Sequence, residues 1–236
     1  MQIKEIELDL PYQENYDYIE KIIRENGLSN EEANSKDYID NWKEKRLKFR
    51  LDTRCMTSMI ERLTFPVKSM SFWKIMIECV SQRSYIGYKN LLGVCVIQYE
   101  FNYSKFNGLS DIEKKKETVK IILDAIKEID EFKDIYIKIK NASAVIESNN
   151  YINQWFWKKK AKLGKNTAKL MIIHNVKEVE VHLIICDKEQ VIVDKIIATC
   201  KPDERAFIKY FGEIGWKSPS EAYLITKEKE LYTVSV

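Results

Sequence analysis

Glycine and proline are scarce in this chain of 236 residues, seven and four respectively. That scarcity excludes a low-complexity or loop-dominated protein. The seven glycines are scattered, so neither a phosphate-cradling P-loop nor a dinucleotide fingerprint can be assembled, and no Gly-x-Ser-x-Gly elbow occurs. Long apolar runs are also missing. The longest, from Leu91 to Ile97 and counting Gly93, has seven residues, where a membrane helix needs about 20. The start, Met1-Gln2-Ile3-Lys4-Glu5, has no basic segment followed by an apolar core of the signal-peptide kind. The expectation is a soluble, cytoplasmic protein without membrane association. Five cysteines at 55, 79, 95, 186 and 200 include no Cys-x-x-Cys pair. Four sit in or beside apolar runs, which suits buried reduced thiols in a reducing compartment.

What the chain does have is a core. Apolar residues make up 45% and aromatics 11%, ample for one large domain or two small ones. A net charge of +3 is too small to imply nucleic-acid binding by itself. The charge is unevenly placed, however. Between Ser148 and Lys177 there is no acidic residue, but lysines stand at 158, 159, 160, 162, 165, 169 and 177. The rest of the chain therefore sums to 3 − 7 = −4.

Periodicity places the elements. Ile6, Leu8 and Leu10 alternate as a strand ending at Pro11. Asn15–Asn26 has helical spacing, with Gly27 placed to take a left-handed stop. Ser29 and Glu32 have capping-box spacing and open a second helix carrying Tyr38, Ile39 and Trp42. Leu47–Phe65 reads both ways: Phe49 and Leu51 alternate, whereas Cys55, Met59, Ile60 and Leu63 recur helically. Trp73–Cys79 and Leu91–Phe101 read as strands joined by a polar hairpin loop, Ser81–Asn90. Ser110 and Glu113 form a second capping box, opening a helix over Asp111–Asp130 with Ile112, Val119, Ile122, Ile126 and Ile129 on one stripe. Asp134–Lys140 alternates as a short strand or leads into a helix. Asn141–Trp157 has helical spacing, and Lys158–Thr167 reads as a basic linker. Beyond it lie strands at Leu170–Asn175, Glu178–Cys186 and Val191–Ile197, the last two joined by Asp187-Lys188-Glu189-Gln190. A short helix from Pro202 to Gly212 and a hairpin of Tyr223–Thr226 with Leu231–Val236 follow. The expected class is α+β, with antiparallel sheets, packed helices and a β-rich C-terminal portion ordered β-β-β-α-β-β. It is divided as 1–160 and 168–236, or packed as one unit.

Catalytic patterns are weak. Glu178, Glu180 and His182 share a strand face, but a metal would need further ligands, so a solvated face is the better reading. His174 falls on the face of Leu170 and Ile172 and reads as a hydrogen-bonded, partly buried histidine. Glu113-x-Lys115 matches the letters of nuclease chemistry but lies in a helix first turn, where capping explains it. Gly212-x-x-Gly215 has the shape that KH domains use on a nucleotide backbone, yet Glu213 would repel phosphate, and a helix C-cap and turn fit better. An enzyme with a dispersed site, using Glu100, His174 and His182, is a further possibility. No cofactor, metal or catalytic residue is assigned, and the protein is expected not to be an enzyme.

Two stretches carry a resemblance. Ile97-Gln98-Tyr99-Glu100-Phe101-Asn102-Tyr103-Ser104, leading through Leu109-Ser110-Asp111-Ile112-Glu113-Lys114-Lys115-Lys116, is one. Asn150-Tyr151-Ile152-Asn153-Gln154-Trp155, with its lysine-rich exit and the β-rich tail near Phe211-Gly212 and Trp216, is the other. Over roughly the last 140 residues the chain resembles bacterial immunity proteins of polymorphic toxin systems. That resemblance implies a non-enzymatic protein whose partner is a cognate toxin domain. Exposed aromatics with a charged rim would form such a surface, which selects Tyr103, Phe106, Tyr151, Trp155, Lys158, Lys159 and Lys160. Inhibitors of basic nucleases tend to be strongly acidic, and this chain is not. The alternative function is a nucleic-acid-associated protein using the basic, aromatic 151–169 region.

Overall fold

The computed structural model describes residues 1–69, 71–188 and 190–236. These divide into two compact units, Met1–Val145 and Ile146–Val236. Among the described residues no helix is long and apolar enough to cross a membrane.

The first unit opens with β1 (Gln2–Ile3) and β2 (Glu5–Asp9), where Ile6 and Leu8 are fully buried as their alternation predicts. Helix α1 (Tyr16–Asn26) is capped by the Asn15 side chain, which accepts from Tyr18 N, and stops at Gly27 with φ +64°. Helix α2 (Asn30–Asp37) has the expected capping box: Glu32 N donates to Ser29 Oγ at 3.3 Å, and Ser29 N donates to Glu32 Oε2 at 2.9 Å. A π-helical turn over Tyr38–Trp42 then runs into α3 (Lys43–Thr64).

Leu47–Phe65, readable either way, is therefore helix. Phe49, Thr53, Met56 and Ile60 are buried at spacings of four, three and four. The stripe is hard to see because part of it is polar. Thr53 donates to Phe49 O at 3.1 Å, Thr57 to Arg54 O and Ser58 to Cys55 O at 3.2 Å each. Hydroxyls that donate to their own helix's carbonyls can be buried at low cost.

After α3 come β3 (Val67–Lys68), β4 (Lys74–Val80), β5 (Tyr88–Leu91) and β6 (Val94–Glu100). β1 pairs antiparallel with β3, and the main sheet has the order β2-β4-β6-β5. Here one expectation is corrected. The strands read as joined by a hairpin loop, β4 and β6, run parallel, with Ile75 beside Cys95 and Ile77 beside Ile97. The hairpin is instead β5–β6, turning through Leu92 (φ +53°) and Gly93 (φ +84°). Two consecutive positive φ values make the type I′ turn that matches strand twist. Leu91 and Leu92 mimicked the start of one long apolar strand, so the turn between them and Val94 was hidden.

Helix α4 (Tyr103–Asn107) is capped by Asn102, and α5 (Asp111–Lys127) opens with the Ser110–Glu113 box. A 3-10 turn over Asp130–Phe132 precedes α6 (Lys133–Ser148). The alternation of Ile135, Ile137 and Ile139 does not mark a strand. Ile135, Ile139, Ala142 and Ile146 are buried at helical spacing, while Ile137 is exposed.

The second unit is strand-rich, as expected, with β7 (Gln154–Leu163), β8 (Asn166–His174), β9 (Val179–Asp187) and β10 (Gln190–Cys200) in one antiparallel sheet ordered β10-β9-β8-β7. Helix α7 (Glu204–Phe207), capped by Asp203, leads to a second antiparallel sheet of β11 (Glu213–Ser218), β12 (Glu221–Ile225) and β13 (Leu231–Ser235). Two strands, β7 and β11, were not read as such. The expected helix over Asn141–Trp157 ends at Ser148, where Asn150 and Tyr151 take positive φ. The expected linker Lys158–Thr167 is the end of β7, a tight turn at Gly164-Lys165 and the start of β8. The division of the chain accordingly falls near 145, within α6, rather than at 160–168. Glu189, in the expected turn between β9 and β10, lies outside the described residues.

One face of the β7–β10 sheet supplies Leu170, Ile172, Val181, Leu183 and Ile185 to a core shared with Phe207, Tyr210, Leu224 and Val234. Gly212 and Gly215 serve this packing. A Cβ on Gly212 would fall 2.0 Å from Ile225 O, and one on Gly215 would meet the Tyr223 ring. The Gly-x-x-Gly is thus mostly strand β11, not a C-cap and turn, because both glycines lie where β12 passes too closely for a side chain.

Candidate functional site

Strand β7 is where the basic belt and the aromatics meet. A strand directs alternate side chains to opposite faces, and Trp155-Phe156-Trp157 follows that rule. Trp155 and Trp157 pack on the shared core, Trp155 against Phe207 with ring centroids 6.2 Å apart and Trp157 stacked on Phe211 at 5.3 Å. Phe156 points the other way and is 49% exposed.

A bulge follows. Phe156 pairs with Met171 and Lys160 with Lys169, so between these pairs β7 has three residues where β8 has one. Such bulges re-aim side chains without breaking the sheet. Beyond it, Lys160 and Lys162 are exposed, and Lys160 shares the face of Phe156 and Lys169. Lys169 Nζ sits 5.2 Å from the Phe156 ring centroid, within cation–π reach. Lys158 and Lys159 occupy the bulge itself. Lys159 Nζ donates to Gly212 O at 3.5 Å and lies 5.1 Å from the Trp157 ring. Lys165 pairs with Asp187 at 2.7 Å. Among the described residues no carboxylate lies within 4 Å of the ammonium of Lys158, Lys160 or Lys162. The result is an exposed phenyl ring bordered by lysines on a hydrogen-bonded strand pair.

The residues selected from the sequence are distributed as follows. Lys158, Lys159 and Lys160 are exposed on β7. Trp155 is half-buried and packs against the core, and Tyr151 is a half-buried turn residue whose hydroxyl pKa is raised by burial and by Glu147. Tyr103 and Phe106 belong to the first unit. Phe106 is 1% exposed, locked among Phe49, Phe101 and the Lys114 stem, and so offers no surface. Tyr103 is half-buried beside Phe49 and beneath the Lys45 ammonium. Phe156, Lys162 and Lys169 were missed. Their signal was the two-residue alternation of Trp155-Phe156-Trp157, which a helical reading replaces by two adjacent faces, Tyr151 with Trp155 and Ile152 with Phe156.

The histidines also differ from expectation. His182 is not on a solvated face: it is buried, with Nδ1 2.6 Å from Asp194 Oδ1 and Nε2 3.0 Å from Glu180 Oε2. Asp194 comes from β10, so sequence could pair only Glu180 with it. His174 is fully buried against Trp155 and Phe207 on the opposite face of the sheet. The two histidines therefore do not converge on one site. Among the described residues no group of three or more His, Cys, Asp or Glu could hold a metal ion. The cysteines form no disulfide, and burial drives the Cys79 thiol far up and the Cys95 thiol to about 12, which keeps both protonated.

No protein-family model, no curated protein and no solved structure matches this chain.

Proposed function

We propose that the protein is a non-catalytic immunity protein that binds and neutralises a cognate toxin domain, using the β7–β8 hairpin as its docking surface. The observation that supports this most is Phe156, an exposed ring with Lys169 Nζ 5.2 Å from it and Lys160 and Lys162 further along the same face of a hydrogen-bonded strand pair. An aromatic anchor inside a charged rim is the arrangement in which a few residues carry most of the binding energy. Because the rim is basic, the complementary toxin surface is acidic. Fixing the lysines on a strand rather than a linker lowers the entropy lost on association.

The nucleic-acid reading keeps the lysines but weakens its stacking platform, since Trp155 and Trp157 are partly buried against the core, Trp155 on Phe207 and Trp157 on Phe211. Base stacking needs exposed ring faces, and only Phe156 supplies one here.

The test is growth rescue. The protein is expressed beside the toxic domain encoded next to its gene, followed by size-exclusion chromatography of the pair. Rescue with a co-eluting complex is expected for the native chain and loss of both for Phe156→Asp. Rescue that survives Phe156→Asp would move the docking surface elsewhere. Failure of the folded native chain to rescue or bind would sink the immunity assignment.

A further inference from the structure

A second lysine–aromatic arrangement lies in the first unit and has a different character. The parallel strands β2, β4 and β6 end at Asp9, Val80 and Glu100. The segments leaving them border a cleft of about 510 Å³. Crevices outside the carboxyl ends of parallel strands are where α/β sheets receive ligands, because the chain diverges there. The volume lies in the range of small-molecule sites.

The cleft is built in layers. Leu10, Cys79 and Trp42 form a buried apolar floor. The Trp42 ring is fixed by Nε1 donating to Leu10 O at 3.1 Å and by an edge contact with Tyr12. Phe101 and Tyr103 make an aromatic wall. Gln13, Ser81, Asn102 and Ser104 supply polar groups at the rim, with Gln13 Nε2 donating to Ser81 Oγ at 3.1 Å.

Into this cleft reaches Lys45. Its ammonium lies 3.9 Å from the Trp42 ring centroid and 4.7 Å from that of Tyr103. Among the described residues no carboxylate lies within 4 Å of it. Two ring faces offset only part of the hydration that a cation loses on burial. Burial accordingly lowers the Lys45 pKa. A half-buried cation in an aromatic-walled crevice lacks one thing, an anion that brings its own apolar body.

We propose that this cleft binds a small carboxylate with an apolar or aromatic body, its carboxylate on Lys45 and its body against Trp42, Phe101 and Tyr103. Glu100, exposed on the rim, disfavours multiply charged anions such as phosphate and narrows the choice to monoanions. The proposal does not depend on the immunity reading.

The experiment uses the full chain with its lysines reductively methylated with carbon-13 and observed by NMR. The Lys45 signal is assigned by its loss in Lys45→Arg. Ring currents from two aromatic faces set it apart from surface lysines. Benzoate, inorganic phosphate and benzyl alcohol are titrated in turn. The expected result is a saturable displacement of the Lys45 signal by benzoate, at least tenfold weaker with phosphate and absent with benzyl alcohol. Calorimetry on unmodified protein should show benzoate binding weakened at least tenfold in Lys45→Gln, with the thermal midpoint of the variant near that of the native chain. If benzoate moves Lys45 no more than the other lysines, or Lys45→Gln binds it equally well, there is no such site. A stronger response to phosphate than to benzoate would overturn the carboxylate assignment.

Discussion

Two of the places where lysines meet aromatic rings in this protein, the β7–β8 hairpin and the cleft around Lys45, have opposite solvation. On the β7–β8 hairpin the ring is exposed and the lysines stand in water around it. In the cleft at the ends of β2, β4 and β6 the Trp42 ring is buried and fixed, the Tyr103 ring is half-buried, and the lysine is brought to both. Residue type alone does not distinguish these places. Strand alternation decides the first, because Phe156 falls outward between two inward tryptophans. Chain crossover decides the second, because it brings residues 10, 42, 79 and 103 to one end of a sheet. Exposed charges on a firm strand suit a large partner surface, since their hydration costs little to rearrange. A desolvated charge suits a small ligand that completes its shell.

The largest expected effect separates core rings from surface rings. Phe106→Ala removes a ring 1% exposed and packed on Phe49 and Phe101. It should cost about 3–5 kcal/mol by denaturant unfolding, the usual loss for a buried phenyl group. Phe156→Ala should change stability by less than about 0.5 kcal/mol, as surface substitutions do, while abolishing toxin binding. A large stability loss in Phe156→Ala would show that the ring is structural and would erase the contrast.

This pair of rings also shows what was legible in the sequence. Capping boxes at Ser29 and Ser110, the stop at Gly27 and the strand-rich tail could be read because each depends on neighbours within four residues or on strict alternation. Phe106 was misjudged because its burial depends on Phe49, 57 positions away in sequence. The parallel pairing of β4 with β6 was missed for a related reason: a two-residue turn at Leu92-Gly93 was concealed inside an apolar run. Strand β7 failed differently. Its aromatics satisfy helical spacing and strand alternation equally well, and only tertiary contact with Phe207 and Phe211 separates the two. For the cleft, Tyr103 was noticed as an aromatic, but nothing local connects it to Lys45.

The next effect sharpens the electrostatic side of the comparison. Reversing Lys158, Lys160 and Lys162 together to glutamate should weaken the toxin complex about a hundredfold, at roughly 1 kcal/mol for each exposed charge. The loss should appear mainly in the association rate and shrink as salt is raised, because the Debye length falls to about 3 Å at 1 M ionic strength. Binding of benzoate by the cleft should be unaffected. Equal weakening at low and high salt would mean that the lysines act by packing rather than by charge.

The smallest effect is a pH dependence confined to the first region. Asp37 is fully shielded from solvent and holds the chain leading into the cleft. Its Oδ2 accepts from Tyr12 Oη at 2.6 Å and from Asn15 N at 2.9 Å, and its Oδ1 accepts from Asn41 Nδ2 at 2.6 Å. Burial pushes this carboxyl upward, but the three donated hydrogen bonds outweigh it and leave the pKa below the ordinary aspartate value of 3.8. A carboxyl lowered on folding contributes stability above its unfolded pKa and loses it as pH falls through the folded one. Between pH 7 and 5 the Asp37 contribution should therefore be constant, and it should decline progressively below about 4. In Asp37→Asn that part of the acid limb should flatten. Because Tyr12 packs edge-on to Trp42, acid release of Asp37 should also loosen the ring beneath Lys45, so the ring-current displacement of Lys45 should shrink over the same pH interval. The hairpin contains no carboxylate beside Phe156 among the described residues, and its lysine signals should not change there. A matching change in both regions would mean that acid unfolds the protein globally and that Asp37 has no local role.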